Sequence, residues 1–255
     1  MGLFDKKYCD ICGEKIGFLG NRKLEDGNLC KNCAAKLSPW FSERRQSTVE
    51  EIKQQLDYRE ENKVAVAAFH ATRSLGDGTK VLIDDDACKF MVTGARNIAD
   101  ANHDVMDFAD VTGCRIDVDE NRTELKQKDK EGKDVSYNPP RYKYSYNFNV
   151  IINVNNPYFN EIRFRLNGKN VELNNVIISA ANRTGVNPHR SIDYCEYEKI
   201  GKEIVEALTK IRTTVRENVE AANAPKASIK CPYCGAVVVP DAKGRCEFCG
   251  SVIDA

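Results

Sequence analysis

The sequence predicts an α+β protein in which a bent antiparallel β-sheet is capped by a long C-terminal helix and flanked by two small four-cysteine modules. Three observations support this fold class. Paired cysteines are concentrated at both ends of the chain, alternating polar and apolar residues fill its middle, and a helical apolar repeat follows them. With 255 residues, the chain can hold one mid-sized domain besides the two modules.

Four cysteines near the N-terminus form two C-x-x-C pairs separated by seventeen residues. They are Cys9, Cys12, Cys30 and Cys33. This spacing matches zinc sites, in which four thiolates surround the ion at about 2.3 Å. The alternative is that these are ordinary buried thiols, which the specificity of the spacing disfavours.

A second set near the C-terminus repeats the arrangement with an eleven-residue spacer and has a glycine after each pair, which is typical of a zinc ribbon. Its cysteines are Cys231, Cys234, Cys246 and Cys249. Residues 237–239 are predicted as a strand and 241–244 as its turn. Because four cysteines fill the coordination sphere of zinc, we expect two structural Zn²⁺ ions per chain, which fold modules too small to fold alone.

A helix is predicted after the first module. An S-x-x-E capping box begins at Ser47, and Val49, Ile52 and Leu56 form one apolar stripe. Because the opposite face is highly charged, we expect a solvated connecting helix over residues 47–62.

Just before this helix, Trp40 and Phe41 are expected to pack on the zinc module or the next domain rather than on a partner.

The middle of the chain reads as a β domain. Its clearest strand spans 141–154, where one face carries Tyr142, Tyr144, Tyr146, Phe148, Val150, Ile152 and Val154. We expect this face in the core. The alternative is that the Arg141–Phe148 strand, with interleaved basic and aromatic residues, is a base-stacking platform.

Other strands are predicted at 114–119 and 122–128, and in the segment 160–168 with Ile162, Phe164 and Leu166 facing inward. A hairpin is predicted around Asp84–Asp86, which we expect to be a solvated turn rather than a cation site.

A long amphipathic helix is predicted over residues 191–223 from apolar residues at three- and four-residue steps. Its first half can cover the sheet. Near its end, Ile211, Val215 and Val219 are expected to form a contact surface for self-association. Packing of these three residues against the helix at 47–62 is the alternative.

These segments divide the chain into five parts. They are a zinc module at 1–46, a connecting helix at 47–62, a β domain at 63–190, a long helix at 191–223 and a zinc ribbon at 224–255.

Two stretches resemble known families. The segment CDICGEKIGFLGNRKLEDGNLCKNCAAKLSPWFS resembles a bacterial zinc-binding family, domain of unknown function 4428, which implies zinc ligation and no assigned activity. The middle is similar to bacterial pleckstrin-homology-like (PH-like) domains, which implies a bent antiparallel sheet capped by a C-terminal helix. The stretch 171–190 does not fit that order.

Catalytic signatures are missing from the sequence. The three histidines are scattered: His70, His103 and His189. No G-x-G-x-x-G, P-loop or G-x-S-x-G motif occurs. Three cysteines lie outside the pairs, and we expect them to be small buried hydrophobic residues: Cys88, Cys114 and Cys195. We therefore expect a protein that is not an enzyme.

The balance of charged residues indicates which class of partner to expect. Lys and Arg total 38, as do Asp and Glu, whereas a dedicated nucleic-acid binder is usually basic. With neither a secretory signal nor a membrane-spanning segment in the sequence, we expect a cytoplasmic zinc-binding adaptor or scaffold that recognises another protein. The alternative function is nucleic-acid binding through the ribbons and the Arg141–Phe148 strand.

Overall fold

The computed structural model describes residues 6–177, 186–223, 229–239 and 244–253, and for 175–177 and 210–223 it describes the backbone alone. The chain divides into two compact units, Met1–Thr213 and Thr214–Ala255. No helix in these described segments combines the length and the apolar character that a membrane crossing requires.

The first unit begins with five short elements and one long helix. They are β1 (Lys7–Tyr8), β2 (Lys15–Ile16), β3 (Arg22–Lys23), β4 (Asn28–Leu29), α1 (Lys31–Ala34) and the twenty-residue α2 (Val49–Ala68). The β domain follows, with β5 (Arg73–Leu75), β6 (Lys80–Asp84), β7 (Lys89–Thr93), α3 (Ile98–Ala101), β8 (Val105–Asp107), β9 (Val111–Lys128), β10 (Asp134–Val154), β11 (Glu161–Arg165) and β12 (Val171–Ile177).

The last elements are α4 (Ile192–Asn223), whose final turns belong to the second unit, and the two strands of that unit, β13 (Ile229–Lys230) and β14 (Val237–Val238). The predicted long helix at 191–223 is therefore confirmed. The side chains of Ile211, Val215 and Val219, together with residues 241–243 of the predicted ribbon turn, lie outside what the structure describes.

The N-terminal module consists of two small hairpins and one helical turn around a compact core. β1 pairs with β2 and β3 with β4, both antiparallel. Leu24, Leu29 and Leu37 are buried there together with Ile52 of α2. Helix α2 is therefore part of the module's core, and the prediction of a solvated connector is wrong on that face.

The start of α2 lies one residue later than predicted. The capping box is formed by Thr48 and Glu51, not by Ser47 and Glu50: the Thr48 hydroxyl accepts from the Glu51 N–H, and the Glu51 carboxylate accepts from the Thr48 N–H. Ser47 instead donates through its hydroxyl to the carbonyl of Glu43.

Helix α2 joins the module to the β domain through polar side chains. Arg59 Nη1 donates to Asp104 Oδ1 at 2.7 Å, and the exposed fractions of the two side chains are only 6% and 0%. The other carboxylate oxygen of Asp104 accepts from the Ser38 hydroxyl at 2.8 Å, and Asn62 donates to Asn102 Oδ1 at 2.8 Å. These contacts hold the module, α2 and the loop before β8 in one arrangement.

Trp40 and Phe41 connect the same parts through apolar contacts. Trp40 packs against the main core of the β domain, and Phe41 packs against the core of the N-terminal module. The prediction that this pair packs within the chain is confirmed.

The β domain contains two four-stranded antiparallel sheets rather than the single bent sheet that the sequence predicted. The first is a meander in the order β5-β6-β7-β8. In the second, β10 lies between β9 on one edge and both β11 and β12 on the other. β10 can hold two partners end to end because it is 21 residues long.

The apolar face of β10 lies in the core, as predicted. Tyr144, Tyr146, Phe148 and the alternate residues up to Val154 are buried, and Tyr142 packs against them. The prediction of two strands at 114–119 and 122–128 is wrong, because β9 is a single strand from Val111 to Lys128 that pairs with β10. The register of this pair shifts near each end.

Helix α4 covers this face of the second sheet. The Tyr194 ring packs edge-on against the rings of Tyr146 and Phe148, with centroids 5.1 and 5.0 Å away. Gly201 allows the close approach of the helix to β9, since a Cβ atom there would lie 2.9 Å from Ile116 Cγ1.

The sequence predicts a solvated turn at Asp84–Asp86, but the structure buries one of its carboxylates. The buried Asp84 carboxylate accepts the N–H of His70 and of Ala87, both at 2.9 Å, and these hydrogen bonds lower its pKa. Asp84 therefore shapes the β6–β7 turn and ties it to the segment after α2.

We expect Asp104→Ala to lower the free energy of unfolding of the first unit by about 3–5 kcal/mol, because it leaves the Arg59 guanidinium buried without its partner. Urea unfolding followed by the fluorescence of the single tryptophan, Trp40, measures this. The matched control is Asp85→Ala, which breaks the exposed ion pair with Arg73 and should cost about 1 kcal/mol or less. Equal losses in both variants would contradict the account.

Candidate metal centres

The four N-terminal cysteines converge on one point. The sulfur atoms of Cys9, Cys12, Cys30 and Cys33 all lie within 4.8 Å of one another. The Sγ atoms of Cys12 and Cys30 are 3.8 Å apart. Four sulfurs at about 2.3 Å from a tetrahedral ion would lie about 3.8 Å from each other, whereas a disulfide requires about 2.05 Å.

The first pair is held in a tight turn after β1. The Gly13 N–H donates to the carbonyl of Cys9 at 2.8 Å, and the Cys9 N–H donates to Glu14 at 2.9 Å. Gly13 has φ +72°, a left-handed conformation that glycine adopts without a steric penalty. The turn therefore aims the sulfurs of Cys9 and Cys12 at the same side.

The second pair has a different local structure, because it begins a helix rather than forming another such turn. Cys30 is the N-cap of α1, and its sulfur accepts the N–H of Cys33 at 3.3 Å. The Cys30 N–H in turn donates to Cys9 Sγ at 3.3 Å. Helix α1 thus starts inside this pair, with Cys30 at its N-terminus.

The C-terminal set is built from two copies of the glycine turn. Cys231, Cys234, Cys246 and Cys249 have all sulfurs within 4.8 Å of one another. The Cys231–Cys249 and Cys234–Cys246 sulfur distances are 3.6 and 3.7 Å. Gly235 and Gly250, which follow the two pairs, have φ of +75° and +70°.

Hydrogen bonds to sulfur prepare one thiol in each set for ionisation. Burial raises the pKa of the Cys9 thiol, but N–H groups, including those of Cys12 and Cys30, outweigh it and lower this pKa to about 7. Hydrogen bonds from the side chain and backbone of Ser251 lower the pKa of Cys249 to about 6. Burial and the neighbouring thiols raise the pKa of Cys33, because adjacent thiols cannot all ionise without a compensating cation.

Each group of four cysteines can therefore hold a metal ion, and the donor set fits zinc. Few other biological cations prefer thiolate ligands as zinc does, and the distances between the sulfur atoms are those of a tetrahedron around one ion. Four sulfurs leave no coordination position for water or substrate, so an ion in either centre is structural.

The remaining cysteines and the histidines form no further centre. Among the described residues, the two four-cysteine groups are the only clusters of His, Cys, Asp and Glu that could hold a metal. Cys114 is partly buried against the core, as predicted, and burial raises its pKa to about 11. Cys195 is half-buried. Cys88 is exposed in the β6–β7 turn, so its predicted burial is wrong.

A cleft of about 850 Å³ lies in the first unit between residues 39–54 and 156–163. Aromatic side chains line it, together with carboxylates, among them Glu43 and Glu161. Neither histidine nor cysteine is among the described residues that line this cleft. Its walls therefore offer aromatic rings and carboxylates for contact with a ligand.

Comparisons with known proteins identify one segment. The model of a family described as Domain of unknown function (DUF4428) matches residues 7–55, which cover the first metal centre and the start of α2. The chain has no significant match among curated proteins or among solved structures. The segment therefore falls in a family without an assigned activity, and function has to be argued from the residues.

We expect freshly purified protein to contain two zinc ions per chain by elemental analysis, because both sets of sulfurs are arranged for a tetrahedral ion. Cys9→Ser and Cys246→Ser should each lose one ion. The matched control is Cys88→Ser, which removes an exposed thiol outside the centres and should retain both ions. A wild-type ratio near one, or iron in place of zinc, would contradict this assignment.

Proposed function

We propose that the chain is a cytoplasmic zinc-binding adaptor that recognises another protein and performs no chemistry itself. The observation that carries this proposal is the exposed apolar surface of the C-terminal ribbon. Five of its large hydrophobic side chains are exposed: Tyr233, Val237, Val239, Phe248 and Val252.

Two of these residues occupy equivalent positions. Tyr233 and Phe248 each precede the second cysteine of a pair, and their exposed fractions are 71% and 69%. The ribbon's own core is made by Val238 and Ile253 with two of the cysteines, so its folding does not need the two aromatic rings. The metal holds the turns rigid, and the rings are presented at little conformational cost.

Rigid, exposed aromatic side chains are characteristic of protein-binding surfaces. Tyrosine and tryptophan are enriched among the residues that carry most of the binding energy, and aromatic residues in general are enriched at interfaces. Large apolar side chains exposed together on a small module are otherwise a liability for solubility. A protein partner that covers Tyr233 and Phe248 accounts for their exposure.

We also propose that the β domain is PH-like. The order of its elements supports this: a four-stranded meander comes first, a second antiparallel sheet follows, and α4 covers the second sheet at the C-terminal end. A PH-like domain is a scaffold for recognition, in agreement with an adaptor. Self-association through Ile211, Val215 and Val219 stays a prediction.

Nucleic-acid binding is the alternative, and the structure gives it less support. Tyr144, Tyr146 and Phe148 lie in the core, so their faces are not available for stacking with bases. Tyr142 is partly buried, and Arg122 lies over its ring at 4.9 Å.

The adaptor proposal predicts a specific loss of partner. We expect affinity purification from lysate of the native cell to retain proteins with the wild-type chain and to lose them with Tyr233→Ser/Phe248→Ser. Val64→Ser is the matched control, since Val64 is equally exposed but lies on α2. Retention should persist after nuclease treatment. A retained set that disappears with nuclease, or nanomolar binding of nucleic acid in a filter assay, would contradict the proposal.

A further inference from the structure

The turn between β2 and β3 presents two large apolar side chains to solvent. Phe18 and Leu19 have exposed fractions of 90% and 84%, and they stand between Gly17 and Gly20. The residue just before the turn, Ile16, is buried in the core of the N-terminal module. The apolar tip, residues 17–20, is therefore a protrusion on a base fixed by the metal centre, not an unfolded end.

Three backbone groups of the apolar tip are hydrogen-bonded within the module. The Gly20 N–H donates to the carbonyl of Gly17 at 3.0 Å, and Arg22 Nη1 donates to the carbonyl of Leu19 at 3.3 Å. A turn whose polar groups are already bonded can enter an apolar environment at lower cost than one whose groups must be stripped of water.

Basic residues lie near the apolar tip along the chain and on the segment that contacts β3. They are Lys15, Arg22, Lys23, Arg44 and Arg45. Arg44 Nη1 donates to the carbonyl of Lys23 at 2.7 Å, which brings the segment after the module beside β3. Burial, followed by the positive charges of Arg45 and Arg22, lowers the pKa of Arg44.

The positive charge at this end is not neutralised locally. None of the five basic side chains forms an ion pair with a described residue. Residues 6–46 hold nine Lys and Arg against five Asp and Glu, a difference of +4, whereas the same count over the whole chain gives zero. Four thiolates around one Zn²⁺ would reduce the charge of the module to about +2, so it stays positive with the ion bound. The module thus combines an apolar protrusion with a cationic base.

We propose that this end of the protein binds an anionic lipid surface, with Phe18 and Leu19 inserted among the acyl chains and the surrounding cations at the headgroups. The proposal goes beyond the adaptor function and uses a different part of the chain from the ribbon. It assigns the N-terminal module to peripheral attachment, not to a membrane crossing.

Two features favour a bilayer over a protein partner. Two side chains on a convex turn bury far less area than the about 1,200 Å² of a stable protein interface, whereas a bilayer accepts a small apolar insertion when anionic headgroups add attraction. The five cations also lie on three separate segments and form no ion pair with a described residue, which suits a diffuse surface charge better than matched ion pairs.

Co-sedimentation of the zinc-loaded full chain with vesicles tests the proposal. We expect binding to vesicles of phosphatidylcholine with phosphatidylglycerol, little binding to phosphatidylcholine alone, and weaker binding as salt is raised. Phe18→Ser/Leu19→Ser should reduce the partition coefficient at least about tenfold. The matched control Val64→Ser removes an exposed apolar side chain on α2 and should bind as the wild type does.

The contribution of the cations and the depth to which the apolar tip inserts are each measured separately. Arg45→Glu should weaken binding, and Lys63→Glu, an exposed site on α2, should not. In Phe18→Trp, lipids brominated on the acyl chain should quench the added fluorescence. Zinc content and circular dichroism confirm that each variant is folded.

The proposal would be overturned if the chain did not bind anionic vesicles, or if binding were unchanged in the Phe18/Leu19 variant. Absence of vesicle binding is the result expected if the apolar tip instead contacts a protein partner. Tyr233→Ser should leave vesicle binding intact, so failure of the adaptor proposal and failure of this one are distinguishable.

Discussion

The convergence of four sulfur atoms on one point is the constraint on which both ends of the chain depend. Each set holds its sulfurs within 4.8 Å, a distance at which four thiolates would repel one another strongly without a cation between them. Burial and then the neighbouring thiols raise the pKa of Cys33, whereas hydrogen bonds from N–H groups lower the pKa of Cys9. The apolar cores of the modules are small, so a bound metal ion would supply much of the free energy that folds them.

Helix α2 connects the N-terminal module to the β domain. Ile52 belongs to the core of that module, and Arg59, two turns later, is bonded to Asp104 of the β domain. Because this buried ion pair is satisfied only in one arrangement, it sets how the module and the sheets are placed within the first unit. The ribbon falls in the second unit, and its fold rests on its own four sulfurs and four-residue core.

The sequence best predicted those features whose residue spacing is set by metal-ligand geometry or by the period of a strand or helix. The cysteine pairs, the apolar face of β10 and the length of α4 could all be predicted, because ligand geometry and the two- and 3.6-residue periods leave direct patterns. The buried face of α2 could not be predicted, because Gln55, Arg59 and Asn62 are buried there although polar residues usually face solvent. Ser47 and Thr48 both qualify as an N-cap, so the helix start was predicted one residue early. Likewise, the pair Phe18 and Leu19 looks in sequence like any two core residues, and only the structure places them at the tip of a turn.

The central claim is that each four-cysteine set is a closed zinc centre that leaves the rest of the chain free for recognition. X-ray absorption at the zinc edge of the purified protein tests it most directly. The account predicts a single shell of four sulfur atoms at about 2.3 Å, with no nitrogen or oxygen ligand. A shell that includes oxygen or nitrogen neighbours at about 2.0–2.1 Å would mean an open or mixed site, and the assignment of both centres as purely structural would be wrong.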